Sequence, residues 1–221
     1  SQGSGALPPQ GGRARATARP GSSIPKDIVM TSFLLTGPSG EPVTLVEAKA
    51  FLRVDGTDED DLIATLIAAA RIHIESVTNR ALLSQQWRLT LDAWPENRTI
   101  ELPVGPLVSL DAITTHDLEG TPASVPLAQF QPETGATPAC LFLPAVVEGV
   151  PVLRANAGIE VDYTAGYGSD GVDVPADLRQ ALLGLVAYWF EHRDAVVMAG
   201  SGAVVPAGFD RLVSAYRRVS L

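Results

Sequence analysis

The residue pattern predicts an α+β fold: a small helical core of three main helices plus a short C-terminal helix, with an antiparallel β-rich subdomain inserted into it. Three observations carry this. Apolar residues recur at helical spacing before residue 80 and again after residue 175. Between these stretches the period shortens to two, in short runs punctuated by proline and glycine. The run Ala181 to Phe190 carries no charge and is apolar on more than one side. The expected divisions are a flexible N-terminal arm (1–40), a first stretch of helical core (41–83), the β-rich insert (84–171), a second stretch of helical core (172–197), and a flexible joint with a C-terminal segment (198–221).

In chain order, residues 1–29 are mostly Gly, Pro, Ser, Ala and Arg. Such a segment has too few large apolar groups to offset its ordering entropy, so a loosely held arm is expected. Thr44-Leu45-Val46-Glu47 reads as a capping box, in which the Thr hydroxyl and the Glu carboxylate satisfy free backbone donors. Leu45, Ala48, Phe51 and Leu52 follow at helical spacing, giving a helix of about three turns that Asp55-Gly56 ends. Thr57 or Asp58 is expected to cap a second helix, with Asp58-Glu59-Asp60-Asp61 at the positive end of its dipole. That acidic cluster lacks the glycine and distal glutamate of a calcium loop, and dipole capping accounts for it without a metal. The helix continues through Leu62, Ile63, Leu66, Ile67, Ala70, Ile74 and Val77 and frays near Thr78-Asn79.

From Gln86 the pattern alternates: Trp87, Leu89 and Leu91 against Arg88, Thr90 and Asp92. Further strands are expected at 99–102, 108–115, 139–143, 152–154 and 159–163. Gly166, Gly168 and Gly171 then form a loop, Pro175 suits a first helical turn, and Asp177 sits where the dipole favours a negative charge. The uncharged run that follows is roughly 15 Å long at ~1.5 Å per residue, too short to cross a bilayer. It is a core helix or an assembly helix, covered by its own domain or by a neighbouring subunit. Leu182, Leu185, Val186, Trp189 and Phe190 are its candidate subunit-packing residues. Phe209, Leu212, Val213 and Tyr216 mark the last short amphipathic helix, followed by the basic pair Arg217-Arg218.

The chemistry-bearing residues are sparse. His73, His116 and His192 form no metal-ligand spacing, and there is no HExxH, phosphate loop or nucleophile elbow. The single cysteine, Cys140, sits in an apolar strand and precludes an internal disulfide. No enzyme, metal or cofactor is expected. No apolar run spans a membrane, and no signal peptide is visible.

Charge divides unevenly along the chain. Residues 1–29 hold four basic and one acidic residue, a net +3, and residues 201–221 three against one, a net +2. The body from 30 to 200 keeps nine basic and 23 acidic residues, a net −14. Such a body repels phosphate, which disfavours a DNA-binding module driven by counterion release. A surface that lets DNA pass without holding it would be acidic, as would an ordinary soluble one.

Three blocks in order, PVTLVEAKAFLRVDGTDEDDLIATLIAAARIHIESVTNRALL, AGYGSDGVDVPADLRQALLGLVAYWFEHRD and VPAGFDRLVSAYRRV, resemble the head–tail connector (adaptor) proteins of long-tailed bacteriophages and gene transfer agents. The resemblance spans about residues 41–221, excludes the N-terminal arm, and points to the longer branch with a β insert. It implies a virion neck protein, assembled in the host cytoplasm as a ring of about a dozen copies under the portal. The ring would extend the channel for double-stranded DNA and meet the next neck, stopper or tail protein below. It further implies that Val204 to Leu221 reaches the portal. Phe209, Leu212, Val213 and Tyr216 would be apolar anchors, and Arg211, Arg217 and Arg218 partners for portal carboxylates. A helix folded back on its own subunit is the other reading of these residues. A different class of function would make the β insert a protein- or carbohydrate-binding module.

Overall fold

In a computed structural model, residues 30–134, 138–192 and 205–217 are described. In order they form β1 (Met30–Thr36), α1 (Leu45–Leu52), α2 (Asp60–Thr78), β2 (Gln85–Leu91), β3 (Thr99–Leu102), β4 (Leu107–His116) and β5 (Pro122–Ser124). These are followed by β6 (Gln131–Glu133), β7 (Ala139–Phe142), β8 (Ile159–Ala165), α3 (Ala176–Glu191) and α4 (Phe209–Val213). The strands make two antiparallel sheets, ordered β1-β2-β8-β4-β5 and β3-β7-β6. The fold is therefore mixed α+β, with β2 to β8 lying between α2 and α3 in the chain.

The capping box forms: Thr44 N–H donates to Glu47 Oε2 at 2.8 Å, and Glu47 N–H to the Thr44 hydroxyl at 3.2 Å. The helix it starts has eight residues, shorter than expected, because Arg53 turns left-handed at φ 59° before Asp55-Gly56 is reached. Neither Thr57 nor Asp58 caps α2. Its N-cap is Glu59, without a side-chain cap bond, and the dipole is met by Asp60 and Asp61 in the first turn. The helix ends at Thr78, with Asn79 left-handed at φ 53°, a conformation Asn tolerates.

Strand β8 alternates Ile159, Val161, Tyr163 and Ala165 inward with Glu160, Asp162 and Thr164 outward. Across the ladder Arg88 faces Asp162 and grips it with two bonds of 2.6 and 2.7 Å, while reaching Glu160 at 2.9 Å. Such a cross-strand pair fixes register on the polar face.

Three differences from the expected strands have physical causes. Residues 30–36, assigned with the arm, form strand β1, paired among the described residues only to β2. Its Phe33-Leu34-Leu35 run lacks alternation because neither face is buried, so no period-two signal exists. Strands β5 and β6 have three residues each and contain Pro122 and Pro132, below the length at which periodicity registers. The expected strand 152–154 contracts to one bridge between Asp117 and Leu153.

Two apolar cores result, one among the helices and one within the β unit. Their joint is built by Glu75 of α2, whose carboxylate accepts from Leu82 N–H (2.9 Å), Gln85 Nε2 (2.6 Å) and Arg71 Nη1 (3.0 Å). Burial pushes Glu75 above its ordinary value against those donors. Gly166 (φ 145°) completes the joint, because a Cβ there would stand 2.5 Å from the Leu83 backbone.

Candidate docking surface

The C-terminal segment is where the resemblance places the site. Gly208, at φ 93°, turns the chain into α4, and a 3-10 turn over Ser214–Tyr216 follows. On this short helix Phe209 and Val213 stand four apart and point the same way. The structure seats both in the subunit's own helical core, at 3% and 0% exposure. Leu212 and Tyr216 are half-buried against the same core.

The seat is held by polar contacts from two other places in the chain, the start of α3 and the residue after α2's cap, the latter steadied by Tyr167. Tyr216 donates its hydroxyl proton to Asp177 Oδ1 at 2.7 Å, at the start of α3. Arg80, just after α2, donates through Nε to the Tyr216 carbonyl at 3.1 Å and through Nη1 to the Tyr167 hydroxyl at 3.1 Å. Its guanidinium also lies 5.5 Å from the Tyr216 ring centre, a cation–π distance. Burial first, then the Asp177 carboxylate, pushes the Tyr216 hydroxyl up to about 12. The imidazole of His73 fills the space beside Phe209, 5.5 Å between ring centres, and meets Trp189 edge-on at 5.9 Å.

The seven residues named for the portal thus divide. Phe209 and Val213 lie in the helical core of their own subunit, the folded-back arrangement that was the other reading of these residues. Arg211 and Arg217 are exposed, and Arg217 pairs with Asp210 at 2.6 Å. Leu212 and Tyr216 keep a partial outer face. Arg218, together with the expected arm 1–29 and the joint up to residue 204, lies outside the described residues.

In the helix α3 the candidate subunit-packing residues are covered from within the same chain. Leu182, Leu185, Val186 and Trp189 are 0–5% exposed within a single subunit, enclosed by the helical core. They have no surface left for a neighbour; only Phe190 keeps some. Sequence reasoning missed the clamp of Arg80, Tyr167 and Asp177, since no spacing links three residues so far apart in the chain. It also missed the apolar edge at β1, where Met30, Phe33, Leu34 and Leu35 are 42–46% exposed.

No group of three or more His, Cys, Asp or Glu among the described residues could hold a metal ion. No helix among them is long and apolar enough to cross a membrane. The contacts of the C-terminal segment described above are apolar packing, hydrogen bonds and an ion pair.

Comparison with known proteins agrees with that character. The family model described as "Head completion protein" matches residues 42–205. Among curated proteins none matches. Among solved structures, the chain is similar to one from the neck of an empty GTA particle computed with C6 symmetry. The two share 26% identity and a TM-score of 0.73, over 86% of this chain and 97% of that one. It is similar too to a chain from the virion of a native gene transfer agent particle, at 25% identity and a TM-score of 0.69, over 86% and 96%. A third, from the neck of a native GTA particle computed with C12 symmetry, gives 27% and 0.59 over 82% and 96%. With most of its length matched by the family model and its fold shared along nearly all of these neck and virion chains, the protein belongs to the head completion protein family.

Proposed function

We propose that this protein is a structural head–tail connector of a phage-like particle. About a dozen copies form a ring under the portal, extend the DNA channel and present a lower face to the next neck or tail protein. The observation that carries the reading is its likeness to a chain of a particle neck along 86% of its own length and 97% of the other's. The net −14 of residues 30–200 suits a lumen through which double-stranded DNA slides without being held.

The portal contact is made by the outer side of the C-terminal segment rather than by its apolar face. Arg211 is exposed and available to carboxylates, Arg217 is exposed and would exchange its Asp210 partner for a portal carboxylate, and Arg218 follows in the sequence. Leu212 and Tyr216 add a partly open apolar rim. Phe209 and Val213 support this surface from beneath. Many weak copies of one contact round a ring add up without a large interface each.

The test is to mix the purified protein with portal rings and measure the mass of the product. A complex carrying about a dozen added copies is expected, and exchanging Arg211 and Arg217 for Glu should weaken it at least tenfold while the subunit melts unchanged. A protein that never joins the portal at any concentration would end the proposal.

A further inference from the structure

The two edges of the five-stranded sheet are treated very differently. At one end β5 has three residues and opens with Pro122, the short, proline-blunted form that resists pairing. At the other end β1 runs seven residues, Met-Thr-Ser-Phe-Leu-Leu-Thr, with no proline and no charge. Its inner side pairs with β2; its outer side has no strand beside it among the described residues. An antiparallel strand turns alternate N–H and C=O groups outward, so this side offers a ladder ready for a partner.

Apolar side chains line that ladder on both faces of the sheet. Phe33 lies on one face and Met30 and Leu34 on the other, with Leu35 at the bulge that follows, all four 42–46% exposed. Met30 and Ser32 also form one wall of an open cleft of about 450 Å³, whose other residues include Leu89, Pro95, Thr99 and Pro103. Thr99 opens β3, the edge of the second sheet, so the cleft runs between two strand edges.

We propose that the β1 edge is the seam along which a second copy of this chain packs in the ring. The inference rests on the ring reading above and names the surface that closes it. Charge selects the occupant. Two copies of a body with net −14 repel wherever their acidic surfaces meet, and like charges across a contact cost several kcal/mol. They approach at least cost along a strip whose own residues carry no charge, and β1 is one. A basic partner would gain by settling on the acidic surface instead. Geometry agrees, because a head-to-tail ring needs contacts on opposite flanks of each subunit. The β1 edge lies four strand spacings, roughly 19 Å, from β5, and so occupies one flank.

Phe33→Lys and Leu35→Lys test this, with Val172→Lys as the control, since Val172 is 81% exposed and distant from β1 in sequence. Oligomer mass is read with and without portal rings, and amide exchange of residues 30–36 is followed in the wild-type chain. The β1 variants should melt like wild type yet lose ring formation at least tenfold, while the control assembles. The β1 amides should exchange fast in the free subunit and slow down on assembly. If wild type itself never forms rings, the ring reading fails whatever β1 does. Wild-type rings with equally competent β1 variants overturn the seam alone. So do β1 amides that are slow in the free subunit and become fast when residues 1–29 are removed, since the arm of the same chain would then be the occupant. Amides that slow on portal addition before copies touch each other assign the edge to the portal instead and also overturn it.

Discussion

The helical half and the β half handle apolar surface in opposite ways. Around α3 the chain is at its most apolar, yet Leu178, Leu182, Leu185, Val186 and Trp189 are all enclosed by the helical core of the same subunit. In the β half the residues are less concentrated, but among the described residues the sheet stops at β1 and leaves four large side chains and a backbone ladder open. Apolar density along the sequence therefore does not mark exposed apolar surface in this protein. A closed helical core can absorb any number of such residues, because each helix added brings a covering face. A sheet ends wherever its last strand ends, and an unblunted last strand is unfinished.

Truncation in the closed half should produce the largest effects. Leu182→Ala removes a fully buried side chain, with an expected loss of about 2–5 kcal/mol, and Phe209→Ala of about 3–5 kcal/mol. Both are read as a shift in the chemical denaturation midpoint of the subunit alone. Leu35→Ala, at the open edge, should fall within about 0.5 kcal/mol of wild type. The contrast breaks if Phe209→Ala leaves the midpoint unchanged. The segment would then be only loosely seated, and free to leave the core as an anchor for the portal.

Tyr216→Phe makes a finer distinction. It keeps the ring against Arg80 but removes the hydroxyl that donates to Asp177. The expected cost is about 0.5–1.5 kcal/mol in the same unfolding experiment. A larger loss would mean that the clamp, rather than the buried Phe209 and Val213, holds the segment in place.

How much of this could be read from residues alone follows from the range of each interaction. The capping box at Thr44, the alternation of Ile159 to Ala165 and the uncharged face of α3 are local, and they specify their elements within a few residues. The edge strand at 30–36 was illegible for the reason that makes it interesting: with both faces open, Phe33-Leu34-Leu35 shows neither period. The site was half legible. Phe209, Leu212, Val213 and Tyr216 read correctly as one apolar stripe, but a stripe does not say what covers it. That depends on His73, Arg80, Trp189 and Asp177, brought together only by the packing of α2, α3 and α4.

The smallest expected effect is a pH dependence, and it probes the closed half at its outer limit. His73 lies between Trp189 and Phe209, and burial first, then the charge of Arg217, holds it below its ordinary value of 6.5. Between the folded and ordinary values the unfolded chain binds more protons, so stability falls as pH drops through about 6.5 and levels off below the folded value. Glu75 acts in the opposite direction. Burial raises it, so the folded state takes up its proton more readily and gains stability as pH falls towards the carboxylate range. Comparing wild type with His73→Phe between about pH 7.5 and 5.5 separates the two, because Glu75 is common to both chains. The variant should lose less stability on acidification while keeping an aromatic ring beside Phe209. Parallel curves would mean that His73 is solvated in the folded protein, and that the contact between α2 and α4 is open to water rather than closed.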